Sequence, residues 1–423
     1  MITVKSILLW ILVLCTILPA ADIPWADGRS KGENLRIKLV TFGPGDDVPS
    51  WWGHTGLLVE DLQYRKARIY NFGLFSFDDG MLFKFAMGRL IFAAGDFSVP
   101  GYLEWYRRQN RDVRIVSLDL PADKRLQLAR KLAWYVRPEN RRYLYHHYDE
   151  NCATRLRDLL DKAVDGALYR QADAPGRMTL RQHTRRYVGH NVFMEMLLMY
   201  LMNDSIDKPI KVWQEMFLPD ELERQVMRLT YQTPDGQKRR LAADRLIFFK
   251  ADRPPVPEWP PVHWPGALIT GLLIGGIALA LVWWYKSTNN DWAITWLGVW
   301  NFTIGLVLGI PGLGLALMAG FTDHTVTYYN ENLLLANPLT VLLIPYGFML
   351  ARQKAKALRG LQIIWYIHLA AALLLLALKI LPAFDQDNFL VICFILPIIC
   401  GFSLAFYILG KNKEKTIDEL VNY

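Results

Sequence analysis

Residues 145–160 read Tyr145-His-His-Tyr-Asp-Glu-Asn-Cys152-Ala-Thr-Arg-Leu-Arg-Asp-Leu-Leu160. The first half is polar and aromatic. The second half spaces Leu156, Leu159 and Leu160, with Ala163 beyond, along one face of an amphipathic helix. Asp149 or Asn151 can cap that helix, which puts Cys152 in its first turn. There the free backbone N–H groups and the helix dipole favour a thiolate, and Arg155 and Arg157 add positive potential. A thiol so placed is a nucleophile when a base lies close.

The compartment makes this cysteine unusual. The chain has 423 residues, of which only four are cysteine. Residues 1–21 read as a secretory signal: Lys5, an apolar run Ser6 to Leu18, then Pro19-Ala20-Ala21. Cys15 lies within it, and the bulky Leu14 argues against lipidation there; an uncleaved anchor is the alternative. Cys393 and Cys400 fall in an apolar segment near the C-terminus. Cys152 is therefore the only cysteine of the mature exported domain. Outside the cytoplasm a lone thiol is an oxidation hazard unless it is buried or used.

A mean hydropathy of +0.12 beside 21% charged residues implies a polar part joined to a very apolar one. An aromatic content of 13% excludes disorder, and four cysteines exclude a disulfide scaffold. Residues 251–265 carry six prolines and read as a semi-rigid linker. Beyond them, residues 266–410 contain five apolar segments: 266–285, 292–321, 337–351, 361–381 and 389–410. The second holds Gly309, Pro311 and Gly312 and is expected to kink; the third is short for a span. Alternate connections carry Lys286, then Arg352, Lys354, Lys356 and Arg359, then Lys411, Lys413 and Lys415. The other set, 322–336 and 382–388, has no Lys or Arg. That asymmetry puts the tail, 411–423, in the cytoplasm and residues 22–250 outside it, as the signal also requires. Lys379, near an outer end, is expected to snorkel.

Residues 22–265 hold 38 Lys and Arg against 32 Asp and Glu. That excess suits a membrane surface, and an exported, tethered domain has little access to nucleic acid. Within it, 36–42, 55–60, 67–72 and 114–120 read as strands, and 121–136 and 151–163 as helices. The fold class is α+β. The Met-rich run 191–202 reads as a buried core helix or as an adaptable surface for an acyl chain.

The base is sought among eight histidines. His54, in Trp51-Trp-Gly-His-Thr-Gly56, opens a predicted strand behind a glycine and points out of a sheet edge. His146 and His147 face opposite ways on extended chain, so at most one approaches Cys152. His183 and His190 read as surface residues, and His368 as a packing or polar contact inside a span. His263 is in the linker, and His324 lies beside Asp323 in an outer loop. No H-x-x-x-H or C-x-x-C spacing supports a metal site.

A strand-borne His54 followed about a hundred residues later by Asn151-Cys152 at a helix start resembles the permuted papain-like fold of NlpC-type enzymes. The set Trp52-Gly-His54, Tyr70-Asn-Phe-Gly73 and Tyr148-Asp-Glu-Asn-Cys-Ala-Thr-Arg155 is similar to the exported domain of the Lnb family, bacterial lipoprotein N-acyltransferases with a multi-span C-terminal region. The resemblance implies Cys152 as nucleophile and His54 as base. Asn71 is the candidate orienting residue, its alternative being an edge asparagine. Tyr148 and the backbone at Cys152 are candidate oxyanion donors, with Asn151 and Arg155 beside the substrate. The implied reaction moves an acyl chain from a membrane phospholipid, through a Cys152 thioester, to the α-amine of a diacylglyceryl-cysteine lipoprotein. The implied partners are phospholipid donor, diacylated lipoprotein and membrane, with no cofactor; the implied location is the inner membrane, with the thiol domain in the periplasm. The rivals are a membrane-anchored thiol peptidase or amidase acting on cell-wall peptide, and a receptor whose Cys152 is merely buried.

Overall fold

The computed structural model describes residues 23–75, 80–233 and 236–421, so the signal segment and Cys15 lie outside the described residues. The chain forms two compact units. The first takes the described residues of Met1–Ser76, Ile91–Asp173 and Met216–Arg253; the second takes those of Phe77–Leu90, Ala174–Glu215 and Pro254–Tyr423. This partition differs from the linear boundaries read from sequence, because residues 174–215 join the apolar helices rather than the sheet.

The first unit is a seven-stranded antiparallel sheet flanked by helices. Its strands are β1 (Leu35–Phe42), β2 (His54–Asp61), β3 (Lys66–Phe75), β4 (Ile91–Ser98), β5 (Val113–Leu118) and β6 (Arg142–Leu144). A separate hairpin, β7 (Thr230–Gln232) and β8 (Lys238–Arg240), precedes β9 (Ala242–Phe249). The sheet order is β6-β4-β3-β2-β1-β5-β9, with β2 at the centre. Five consecutive residues of β2, Thr55–Val59, are buried, as expected of a strand covered on both faces. Helix α1 (Val99–Arg108) follows β4, α2 (Ala122–Tyr135) follows β5, and α3 (Cys152–Ala163) packs on β2 and β3. The four strands and two helices expected from sequence are all present, with α3 beginning at Cys152 itself. Sequence reading missed β4, β9 and α1. In β4 the run Ala93-Ala-Gly95 blunts the alternation, and β9 exposes Leu246, Ile247 and Phe248 at the sheet edge.

The second unit contains α4 (Leu180–Val188), α5 (Val192–Leu201) and the apolar helices α7 (Trp264–Thr288), α8 (Asp291–Ile304), α9 (Ile310–Phe321), α10 (Leu343–Ala351), α11 (Ala355–Leu378) and α12 (Phe389–Val421); α6 (Pro219–Arg228) belongs to the first unit. Among the described residues four helices are long and apolar enough to cross a membrane, α8 and α9 counting as one through a π-helical stretch at Gly305–Gly309. That stretch is where Gly309 and Pro311 predicted a break. The short third segment belongs to a pair of helices bent by 60°, which makes a fifth span if counted as one. Helices α7 and α12 pack backbone to backbone: a Cβ on Gly401 would lie 2.5 Å from the Gly275 Cα. Small residues allow that approach where water offers no drive for association.

Two readings of single residues change. His183 is fully buried, not on the surface, held by Glu215 at 2.9 Å and Arg186 at 3.0 Å, whereas His190 is exposed as expected. A histidine beside basic neighbours looks solvated in sequence, yet Glu215, distant along the chain, gives it a buried partner. The Met-rich helix α5 is core on one face only: Met199 and Tyr200 join the apolar cluster of the membrane helices, while Val192 and Phe193 stay exposed. Lys379 does not run free to the interface but pairs with Glu331 and donates to the Gln386 carbonyl at 2.6 Å. His368 lies buried between Thr340 and the Ile364 carbonyl, each at 2.8 Å, the polar contact expected of it.

Candidate active site

The sheet register builds the site. Phe42 pairs with His54 across β1 and β2, and Gly56 pairs with Asn71 across β2 and β3. Residues 54 and 56 share one face of β2, as 71 and 73 do of β3. Asn71, paired with Gly56, reaches diagonally to His54. The His54 Nε2 and Asn71 Oδ1 atoms are 2.6 Å apart. Asn71 Nδ2 in turn donates to the Tyr102 hydroxyl at 2.5 Å, with its oxygen toward the imidazole. An amide oxygen can only accept, so Nε2 carries the proton and Nδ1 keeps the lone pair. Asn71 itself is buried.

Cys152 enters from α3. Asn151 is the N-cap: its Oδ1 accepts from Ala153 N at 2.8 Å and Thr154 N at 3.0 Å, and Thr154 Oγ1 accepts from Asn151 N at 2.8 Å. Its Nδ2 donates to the carbonyls of His147 and Phe217, at 2.7 and 3.0 Å. Both donors and both acceptor sites of the amide are then engaged, so Asn151 positions the helix and has no bond left for a substrate. The thiol meets the sheet at Gly73. A Cβ there would sit 3.5 Å from His54 Cε1 and 4.0 Å from Cys152 Cβ, and Gly73 has φ +119°. A Cβ would make ordinary contacts there, so it is the left-handed backbone, and not the space, that favours glycine.

A cleft of about 620 Å³ opens beside this pair, lined by His54, Asn71, Gly73, Tyr102, Trp105 and Arg111 among others; Cys152 is not one of its lining residues. The imidazole lies parallel to the rings of Phe42 and Tyr106, with centroids 6.2 and 6.3 Å away. Burial, then the nearby Arg111 guanidinium, push His54 down to about 4, against a smaller upward pull from Asn71. Burial pushes the Cys152 thiol up to about 11, although backbone N–H groups of Thr55, Ala153 and Cys152 and the charge of Arg111 favour the thiolate. The helix start therefore acts in the direction read from sequence, but desolvation outweighs it. Both shifts favour the neutral forms, a thiol at Cys152 and an imidazole at His54.

The remaining candidates fall elsewhere. Arg155 pairs with Glu150 at 2.9 Å and lies over the Tyr143 ring. Tyr148 is buried against His147 and Phe217. His146 turns to Asp149 at 2.8 Å, and His147 packs edge-on to Trp52. Sequence reading missed Tyr102 and Arg111. Tyr102 sits in a helix that gave no strong signal, and Arg111 looks like one cation of a basic run, yet it is buried and donates to the Gly43 carbonyl at 2.8 Å.

Gly73→Ala tests this closeness. Strain at a positive φ costs about 1–3 kcal/mol, and relieving it would shift the backbone that lies against His54 and Cys152. The expected outcome is a lowered unfolding temperature and a loss of activity larger than that loss of stability explains, measured by thermal unfolding alongside turnover.

Among the described residues no cluster of three or more His, Cys, Asp or Glu could hold a metal ion. Comparison with known proteins finds two family models: the Lnb N-terminal periplasmic domain over residues 21–186 and the Lnb transmembrane domain over residues 265–413. No curated protein and no solved structure matches the chain. The first model spans His54, Asn71 and Cys152, and the second spans the apolar helices. With both domains present, in the order sheet unit then membrane helices, the chain belongs to the Lnb family.

Proposed function

We propose that this protein is an inner-membrane lipoprotein N-acyltransferase whose Cys152 carries the acyl group and whose His54 is the base. The observation that carries the reading is the Asn71–His54 bond, with Gly73 holding both His54 and Cys152 within reach. His54 Nδ1 takes the Cys152 proton as Sγ attacks the ester carbonyl of a phospholipid. The ester C–O bond then breaks, the His54 proton goes to the departing lysophospholipid oxygen, and a thioester remains. The α-amine of a diacylglyceryl-cysteine attacks that carbonyl, gives its proton to His54, and displaces the thiolate, which is reprotonated. The N–H groups near the sulfur are the candidate donors to the oxyanion.

Two further features support a lipid substrate. The second unit holds an apolar cavity of about 890 Å³ walled by α5, the start of α7 and the π-helical break, including Phe193, Met196, Leu306 and Phe394. That volume is in the range of pockets that enclose a small ligand. The Lys and Arg of alternate loops favour a cytoplasmic C-terminus, which leaves the thiol domain in the periplasm, where lipoprotein N-termini are exposed. The test is to express the protein in cells whose lipoproteins are only diacylated and to weigh an N-terminal lipopeptide by mass spectrometry. Gain of one amide-linked acyl chain is expected. Unchanged diacyl lipopeptides together with trimmed cell-wall peptides would instead establish the peptidase.

A further inference from the structure

A second cavity, of about 1140 Å³, opens between α11 and α12 in the second unit. Its lining changes character along its length. Lys356, Arg359 and Lys411 stand at one end, and Leu369, Cys400 and Leu404 line the rest. Among the described residues no Asp or Glu lines it and none pairs with any of the three cations. Tyr366 and Tyr407 sit between the charged and apolar parts, where amphipathic rings collect at a membrane interface. The helices run antiparallel, with Ser403 bonded to the Trp365 carbonyl at 3.1 Å and the Trp365 and Phe402 rings stacked at 4.4 Å. From Arg359 to Leu369 is ten residues of helix, about 15 Å at 1.5 Å per residue. That equals about half of a hydrocarbon core about 30 Å thick.

We infer that this groove binds one anionic phospholipid, with its phosphate held by Lys356, Arg359 and Lys411 and one acyl chain laid along Leu369, Cys400 and Leu404. The charge selects the occupant. Three cations on one groove, with no acid among its described lining residues, suit an anionic head group better than a neutral lipid. The depth selects a lipid over a soluble anion, because only a molecule with a chain fills the apolar length. Under the orientation proposed above, the lipid belongs to the cytoplasmic leaflet, so the site is separate from the chemistry at Cys152 and does not rest on the transferase reading.

The test is native mass spectrometry of the full-length protein, delipidated and offered equal amounts of phosphatidylglycerol and phosphatidylethanolamine with the same chains. At least about tenfold more phosphatidylglycerol adduct is expected, since each basic residue near an anionic head group contributes about 1 kcal/mol. Combining Lys356→Gln, Arg359→Gln and Lys411→Gln is expected to bring the ratio within about twofold of parity. Leu404→Trp, at a half-exposed position, is expected to lower adduct formation by blocking the chain while keeping every charge. A control variant combining Lys286→Gln, Arg352→Gln and Lys354→Gln removes three charges from the same connections but outside the groove, and is expected to keep the preference. Equal binding of the two lipids by the unaltered protein would overturn the site. So would an equal loss in the control variant, or displacement of the lipid by millimolar inorganic phosphate. Binding is read without turnover and without sidedness, so its failure is distinct from failure of the transferase or topology readings.

Discussion

Cys152→Ala is expected to lower lipoprotein N-acylation by about 10⁴-fold or more, the scale on which removal of a covalent nucleophile acts. The substitution is a clean one for structural reasons. It deletes one sulfur at the first helical position. The cap above it is unaffected, because Asn151 bonds to the backbone of Ala153 and Thr154 and not to the thiol. Thermal unfolding of the variant should therefore stay within a few degrees of the parent, while the mass of the lipopeptide reverts to the diacyl form. Cys152→Ser separates nucleophilicity from shape: a hydroxyl holds its proton more tightly, so a residual rate far below the parent is expected. Full acylation by Cys152→Ala would remove the thioester from the mechanism altogether.

The protonation states shape that mechanism. With the thiol pushed up to about 11 and the imidazole down to about 4, the resting site holds no thiolate–imidazolium pair. In the proposed mechanism proton transfer to His54 then accompanies attack rather than preceding it, the part of a general base. A neutral thiol is also less prone to oxidation, and that answers the hazard of a lone cysteine outside the cytoplasm.

The architecture was legible where one short range of sequence contains the whole physical cause. The run at Cys152 shows its cap, its apolar spacing and its basic residues within sixteen positions, and α3 begins at Cys152. The apolar spans and the Pro-rich stretch before them are equally local. What stayed hidden depends on pairing across distance. Sequence named Asn71 as a candidate but not its contact, which depends on a register that puts Gly56 opposite it, so that its amide meets His54. Tyr102 contributes only because α1 brings its hydroxyl to that amide. The same holds for Glu215 beside His183, and for the thiol itself: the sequence shows the dipole that favours thiolate, but the burial that overrides it comes from the packed sheet.

His54 provides the strongest test of the base, because its neighbours shift its titration in opposite directions. His54→Gln is expected to slow formation of the thioester by about 10²–10⁴-fold, the usual contribution of a positioned base. In the parent, thioester formation measured in a single turnover without acceptor amine should hold its rate from pH 7 to about pH 5. It should fall only as the pH drops through about 4, where the imidazole takes a proton. A histidine at its ordinary value near 6.5 would lose the rate two units earlier. Arg111 destabilises the protonated ring, so Arg111→Gln is expected to move that acid limb up toward 6.5. Asn71 stabilises the protonated ring, so Asn71→Ala is expected to move the limb down. The same variant should also cut the plateau rate, because nothing then holds the proton on Nε2. A residue that served only to keep the sheet folded would lower the plateau and leave the limb in place. Limbs that stay fixed in both variants would show that His54 is not the group being titrated, and the base would have to be sought elsewhere.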